Sequence, residues 1–199
     1  MKKPIINEST RKLLLKMEIS GAVFVSVCAV ALHFLYRLSG NAVWAAVFAS
    51  VNESIWEHIK IFTLPYVLWV FVELCTVRVP FRRFLCSKVI GLYFLLLSIP
   101  LFYYAYTFLL GKNIAFLDIS CGFVFTAVSF IVSYRLIVYA PYIQRYYTAS
   151  VVLLVLYCLM TGYFTFLPPR LELFRDPITG AYGLPVKSAA HVFREPPCL

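Results

Sequence analysis

The sequence predicts an all-α membrane protein, a bundle of about five transmembrane helices plus a short half-helix, with the N-terminus inside and the C-terminal tail outside. The composition is the first reason, because 62% of the residues are hydrophobic and only 14% are charged. Soluble domains have roughly 45–50% apolar and about 25% charged residues. The second reason is a mean hydropathy of +0.84. A chain this apolar requires lipid as the solvent for its surface.

Five apolar runs are long enough to cross the hydrocarbon, which takes about 20 helical residues. They lie at about 18–37, 59–78, 88–110, 114–138 and 147–167, within a predicted transmembrane bundle over residues 1–167. A further stretch, 42–50, is too short to cross and is expected to form the half-helix. Pro65 and Pro100 fall inside the second and third spans and are expected to kink them. Residues 168–199, rich in Pro and Gly, form the predicted extracytoplasmic tail.

The basic residues set the predicted orientation. Eleven of them flank the spans on the proposed inner side: Lys2, Lys3, Arg11, Lys12, Lys16, Arg78, Arg82, Arg83, Lys88, Arg135 and Arg145. The short outer loops carry only Arg37, Lys60 and Lys112. The remaining four lie on the predicted outer tail: Arg170, Arg175, Lys187 and Arg194. This bias follows the positive-inside rule. The net charge of +9 is therefore distributed as in a multi-pass protein of a cell membrane. It forms no single basic face, so we expect membrane lipid and no nucleic acid as a partner.

The stretch 50–60, SVNESIWEHIK, holds the densest group of acid and base side chains. On a helix Glu53 and Glu57 share one face, and Lys60 follows Glu57 by three residues. Such groups at the end of a membrane helix are costly unless they are paired or hydrated. A structural interpretation is also open, in which Ser50 and Glu53 form a capping box and Glu57 and Lys60 form a surface ion pair.

Other polar residues are expected at the same outer end. His33 lies near the outer end of the first span, Asp118 near that of the fourth, and Asp176 and His191 in the tail. With His58 they supply the imidazoles and carboxylates that bind zinc or a similar divalent metal. The spacing H-E-x-x-H of zinc hydrolases does not occur in the sequence. We expect Asp118 to be paired with His33, His58 or Lys60.

Three functions follow from this outward-facing polar site, and the sequence leaves open whether the protein is an enzyme. The first is a metal-dependent hydrolase acting on a lipid-like substrate. In it the metal, such as zinc, is held by His33, His58 and Asp118; Glu57 is the general base, Lys60 stabilises negative charge, and Asn52 and Glu53 complete the polar site. The second is a proton- or cation-coupled transporter of small solutes. The third is a structural or accessory membrane subunit.

Two further polar features lie inside the spans. A stripe of small and polar residues follows one face of the fourth span and predicts close helix packing: Asp118, Gly122, Thr126, Ser129 and Ser133. Glu73, near the inner end of the second span, is expected to extend toward Arg78 or Arg82 at the membrane surface.

The stretch 52–60, NESIWEHIK, resembles an uncharacterised family of small bacterial multi-pass membrane proteins. The similarity covers most of the chain and includes LHFLY at 32–36 and LFRDPITGAYG at 173–183. Its specific part is the motif NESxWEHxK. The resemblance implies a bacterial inner membrane protein and no particular activity. A looser similarity is to intramembrane metal hydrolases of the ceramidase and adiponectin-receptor type, whose H-x-x-x-H motif this chain lacks.

Overall fold

Helices make up almost all of the computed structural model, which describes residues 6–184. The α-helices are α1 (Glu8–Leu38), α2 (Val43–Phe48), α3 (Ile55–Thr76), α4 (Phe81–Leu110), α5 (Ala115–Tyr139) and α6 (Tyr147–Phe166). Two 3₁₀ segments follow α5 and α6, Pro141–Tyr146 and Glu172–Phe174. Within residues 6–184 there is no strand, only an antiparallel bridge between Arg175 and Tyr182. The predicted all-α class is confirmed.

Five of the helices are long and apolar enough to cross a membrane, which makes the chain a multi-pass membrane protein. Large apolar side chains point outward from them, for example Val27 at 63% exposure and Phe108 at 87%. A protein in water rarely leaves so large an apolar surface uncovered. The six-residue helix α2 is the predicted half-helix.

Three of the long helices, α1, α3 and α4, begin earlier than the predicted spans because helix formation does not stop where the hydrocarbon ends. The side chain of Asn7 caps α1 by accepting a hydrogen bond from Thr10 N at 2.8 Å. Ser54 caps α3 and accepts from Glu57 N at 3.4 Å. The expected capping box at Ser50 is therefore wrong, since Ser50 Oγ donates to the carbonyl of Asn52 at 2.7 Å instead. A cap four residues later is favoured because residues 49–54 turn before α3 begins.

The polar stripe of the fourth span faces the interior of the bundle. Thr126, Ser129 and Ser133 are fully buried on α5. Gly91 of α4 lies against this stripe, where a Cβ atom would stand 2.4 Å from Tyr66 Oη and 3.0 Å from the carbonyl of Ser129. Small residues thus allow α3, α4 and α5 to approach closely, as expected for helices in lipid.

The segment after α6 folds back onto the beginning of α3. Phe174 packs with its ring centroid 5.1 Å from that of Trp56 and 5.0 Å from that of Phe164. Asn52 Nδ2 donates a hydrogen bond to the carbonyl of Gly183 at 3.0 Å. This part of the tail therefore covers the end of the bundle at which α1 finishes and α3 begins, which we call the outer end after its predicted orientation.

Candidate metal centre

The first turn of α3 determines where its acid and base side chains point. Asn52 Oδ1 accepts a hydrogen bond from Ser54 N at 2.9 Å, which fixes the turn before the helix. His58 Nδ1 lies 2.9 Å from the carbonyl of Ser54, one helical turn back. With the proton on Nδ1, this contact orients the ring and leaves Nε2 as a free ligand atom, the arrangement that metal-binding histidines commonly have.

Three side chains converge at the outer end of the bundle. One ligand atom each from His33, Glu53 and His58 lie within 4.8 Å of one another. The two imidazole centroids are 5.3 Å apart, and His58 Nε2 is 3.5 Å from Glu53 Oε2. Arg37 Nη2 donates to the other Glu53 oxygen, Oε1, at 3.1 Å. Two histidines and one glutamate are a ligand set of catalytic zinc sites, which leaves a fourth position for water or substrate.

The three ligand residues border a cavity of about 530 Å³. Its walls are mostly apolar and include Val30, Phe34, Phe62 and Phe123. An adjoining cavity of about 480 Å³ is also lined by Glu53, His58 and Asp118, and it extends to more polar residues: Tyr103, Tyr104, Glu172 and Arg175. Each cavity has the size of a small-molecule site, and together they offer an apolar and a polar part.

Asp118, predicted as a metal ligand, lines both cavities but lies outside the three-residue cluster. Its carboxylate accepts a hydrogen bond from the hydroxyl of Tyr106. Tyr106 Oη in turn accepts from Ile114 N at 3.1 Å. The expected pairing of Asp118 with His33, His58 or Lys60 is therefore wrong. Tyr106 is preferred because α4 and α5 are neighbours joined by a short loop at this end.

Glu57 and Lys60, the predicted catalytic pair, lie inside the protein. They are 2% and 1% exposed, and Lys60 Nζ is 2.7 Å from Glu57 Oε2. Val51 N donates to the same Glu57 oxygen at 3.0 Å, and Lys60 Nζ donates to the carbonyl of Ala46 at 2.9 Å and to Thr165 Oγ1 at 3.3 Å. The expected surface ion pair is therefore a buried one. Within residues 6–184, neither side chain lines either cavity.

Asn52 and Asp176, which were also predicted near the site, make hydrogen bonds that hold the chain in place. Asn52 joins the tail to α3, as described above. Asp176 accepts hydrogen bonds from Ile178 N at 2.9 Å and from the Thr179 hydroxyl at 2.7 Å, which closes a turn beside the cavity. His191 lies outside the described residues.

Sequence reasoning missed a second charged cluster, which lies at the opposite end of the bundle. Glu73 does not extend to the surface, as we expected, but is fully buried with its Oε2 2.5 Å from Lys88 Nζ. The same ammonium donates to Glu18 Oε2 at 2.7 Å and to Ser133 Oγ at 3.3 Å. We call Glu18, Glu73 and Lys88 the inner triad. The sequence did contain a signal of this cluster, because its three charged residues lie at the edges of apolar runs.

Comparison with known proteins gives the family. The model of a family of unknown function (DUF6512) matches residues 2–184. The chain belongs to this family. No curated protein and no solved structure matches this DUF6512 member. A bacterial origin, and NESxWEHxK as a signature of the family, stay predictions.

Proposed function

We propose that this DUF6512 protein is a hydrolase that uses a divalent metal held by His33, Glu53 and His58 to cleave a lipid-like substrate. The convergence of these three ligand atoms within 4.8 Å, beside a cavity, carries the proposal. In this ligand set Glu53 takes the place of Asp118, which the sequence had predicted as the third ligand. A metal such as zinc would supply an acidified water and polarise the bond to be cleaved.

The residues around the cluster support this assignment. Arg37 holds Glu53 and the carbonyl of Ser54 holds His58, so both ligands have an oriented second shell. In the proposed reaction Asp118, which lines both cavities, is the general base, the role that the sequence had assigned to Glu57. The contact of Asp118 with the Tyr106 hydroxyl holds it in place for proton transfer.

A lipid-like substrate fits the apolar side of the cavity. Val30 and Phe34 line it and are 51% and 50% exposed on the outside of α1. The cavity wall is therefore continuous with a helix face that contacts lipid. An acyl chain can occupy this side while a polar headgroup occupies the part near Tyr104 and Arg175.

Metal content tests the proposal directly. Protein purified in detergent after exposure to zinc should retain about one metal ion per chain, measured by elemental mass spectrometry. His33→Ala, His58→Ala and Glu53→Gln should each lose at least tenfold in metal affinity, since each removes a ligand. Glu172→Gln is the matched control, because Glu172 lines the cavity outside the cluster. Equal metal content in Glu53→Gln and Glu172→Gln would contradict the proposed ligand set.

A second candidate is proton- or cation-coupled transport of a small solute. The inner triad favours it, because charged residues inside membrane spans commonly belong to ion or proton pathways. Proteoliposomes with an internal pH-sensitive dye separate the two functions. Solute-driven proton uptake that persists in His58→Ala would favour transport, whereas metal-dependent hydrolysis without proton movement would favour the hydrolase.

A further inference from the structure

The inner triad is sealed inside the bundle. Glu18 of α1 is 3% exposed, Glu73 of α3 is 0% exposed and Lys88 of α4 is 1% exposed. The rings of Phe84 and Phe130 lie beside the Lys88 ammonium, with centroids 5.7 Å and 5.1 Å away. The three charged groups therefore have protein around them and no bulk water.

The charges of the triad do not balance if both carboxyl groups are ionised. Two carboxylates and one ammonium leave one negative charge in a buried site, which is costly in a low-dielectric interior. Arg83, the nearby buried cation of α4, has an unpartnered Nε and makes no ion pair within residues 6–184. The other titratable groups that interact with these carboxyls are phenols, Tyr66 of α3 and Tyr134 of α5. Neutral phenols do not supply the missing positive charge.

The two carboxyl groups differ in their hydrogen bonds. Glu18 accepts from Lys88 Nζ at 2.7 Å and from Ser133 Oγ at 2.9 and 3.1 Å, which suits an ionised carboxylate. Glu73 has only the Lys88 ammonium as a donor among the described residues, with Lys88 Nζ 2.5 Å from its Oε2, and its Oε1 receives no hydrogen bond. The carboxyl group with fewer donors is the less costly one to neutralise.

We propose that the inner triad is a proton-binding site, in which Glu73 holds one proton while Glu18 and Lys88 stay charged. The site lies three residues before the end of α3, about 4.5 Å along the helix axis. The proton site therefore lies within about one helical turn of the predicted inner surface. This inference does not depend on the hydrolase activity proposed for the outer end.

Infrared spectroscopy of the protein in lipid nanodiscs tests the site, because a protonated carboxyl group has a carbonyl band that a carboxylate lacks. At neutral pH the wild type should show this band. Glu73→Gln should lose it. Glu18→Gln should lose it as well, because Glu73 then becomes the sole partner of Lys88 and ionises. Lys88→Met should strengthen the band about twofold, since both carboxyl groups then take up a proton.

Glu172→Gln is the control and should keep the wild-type band, because Glu172 is an exposed residue of the tail. Three results would overturn the proposal. The first is a wild-type spectrum without the band at neutral pH. The second is an unchanged band in Glu73→Gln, which would place the proton on another residue. The third is a band that appears only when sodium is removed, which would show that a bound cation supplies the missing charge.

Discussion

Glu57 is more deeply buried than the three residues of the metal cluster, His33, Glu53 and His58. Its carboxylate is the charge partner of the buried Lys60. Replacing it by Gln leaves the ammonium of Lys60 uncompensated inside the protein. Removing one partner of a buried ion pair costs about 3–5 kcal/mol. We expect Glu57→Gln to lower the stability in detergent by about 3 kcal/mol, measured by thermal unfolding, while the protein that stays folded still binds metal.

The double variant Glu57→Gln/Lys60→Met is the matched control, because it removes both charges and should recover most of the lost stability. Glu53→Gln should cost about 1 kcal/mol or less, since its partner Arg37 is largely exposed. Loss of metal without loss of stability in Glu57→Gln would contradict the structural role and restore Glu57 to the site.

Tyr106 provides a second test at the residue scale. Its hydroxyl donates to Asp118 and accepts from Ile114 N, so Tyr106→Phe leaves two polar groups without a partner. We expect a loss of about 1–3 kcal/mol in thermal unfolding. Tyr103→Phe changes a neighbouring cavity residue in the same way and should cost less than about 0.5 kcal/mol. Similar losses in the two variants would indicate that the Tyr106 contact with Asp118 contributes nothing.

The sequence predicted His33 and His58 as neighbours but not the third member of their cluster. Both histidines follow from their positions near the outer ends of spans. Glu53 was paired with Glu57 by helical spacing, which does not apply because α3 begins only at Ile55. The turn at Ser54 rotates Glu53 toward His58 and leaves Glu57 buried. The start of α3 at Ile55 therefore decides which glutamate joins the histidines, while the predicted ion pair of Glu57 with Lys60 is kept but buried.

Close packing of α4 and α5 is the feature to test at the scale of the helices. Gly91→Ala would place a Cβ atom against Tyr66 and the Ser129 backbone. Overpacking of this kind costs about 1–3 kcal/mol. Gly162→Ala in α6 is the control, because nothing lies within 4 Å of its added Cβ. It should be neutral or raise stability by up to about 1 kcal/mol, since Ala favours helix more than Gly. Equal stability of both variants would mean that α4 and α5 are not in close contact at Gly91.

The long helices were predictable from hydropathy, whereas the charged ends of α1 and α4 were not. Lys88 follows a basic segment and was assigned to the inner side of the membrane, whereas Glu18 is the first residue of the predicted first span and received no role. Their contact joins residues 70 positions apart and depends on how two helices pack. Local sequence carries no information on such a pairing. Packing of α3 against α2 and α6 likewise buries Lys60, which we had placed in an outer loop.

At the scale of the whole molecule, the two charged clusters lie toward opposite ends of α3. Glu73 follows His58 by fifteen helical residues, about 22 Å along the axis. Tyr66, near the middle of α3, is fully buried, and its hydroxyl donates a hydrogen bond to the carbonyl of Lys88. The outer cluster is half-buried and borders a cavity, while the inner triad is sealed. The outer cluster can therefore bind a ligand from the cavity, whereas the sealed inner triad can bind a proton.

The orientation of the bundle decides which compartment each cluster faces. Two of the counted cations, Lys60 and Lys88, are buried in ion pairs and give no topological signal. Ten basic residues against two still favour an inner N-terminus and, with five crossings, an outer C-terminus. Alkaline phosphatase fused after Leu199 should be active, because it folds only outside the cytoplasm. The same enzyme fused after Arg78, in the loop between α3 and α4, should be inactive. The opposite pattern would invert the bundle and place the metal centre on the cytoplasmic side, and activity at both sites would mean that fewer than five helices cross.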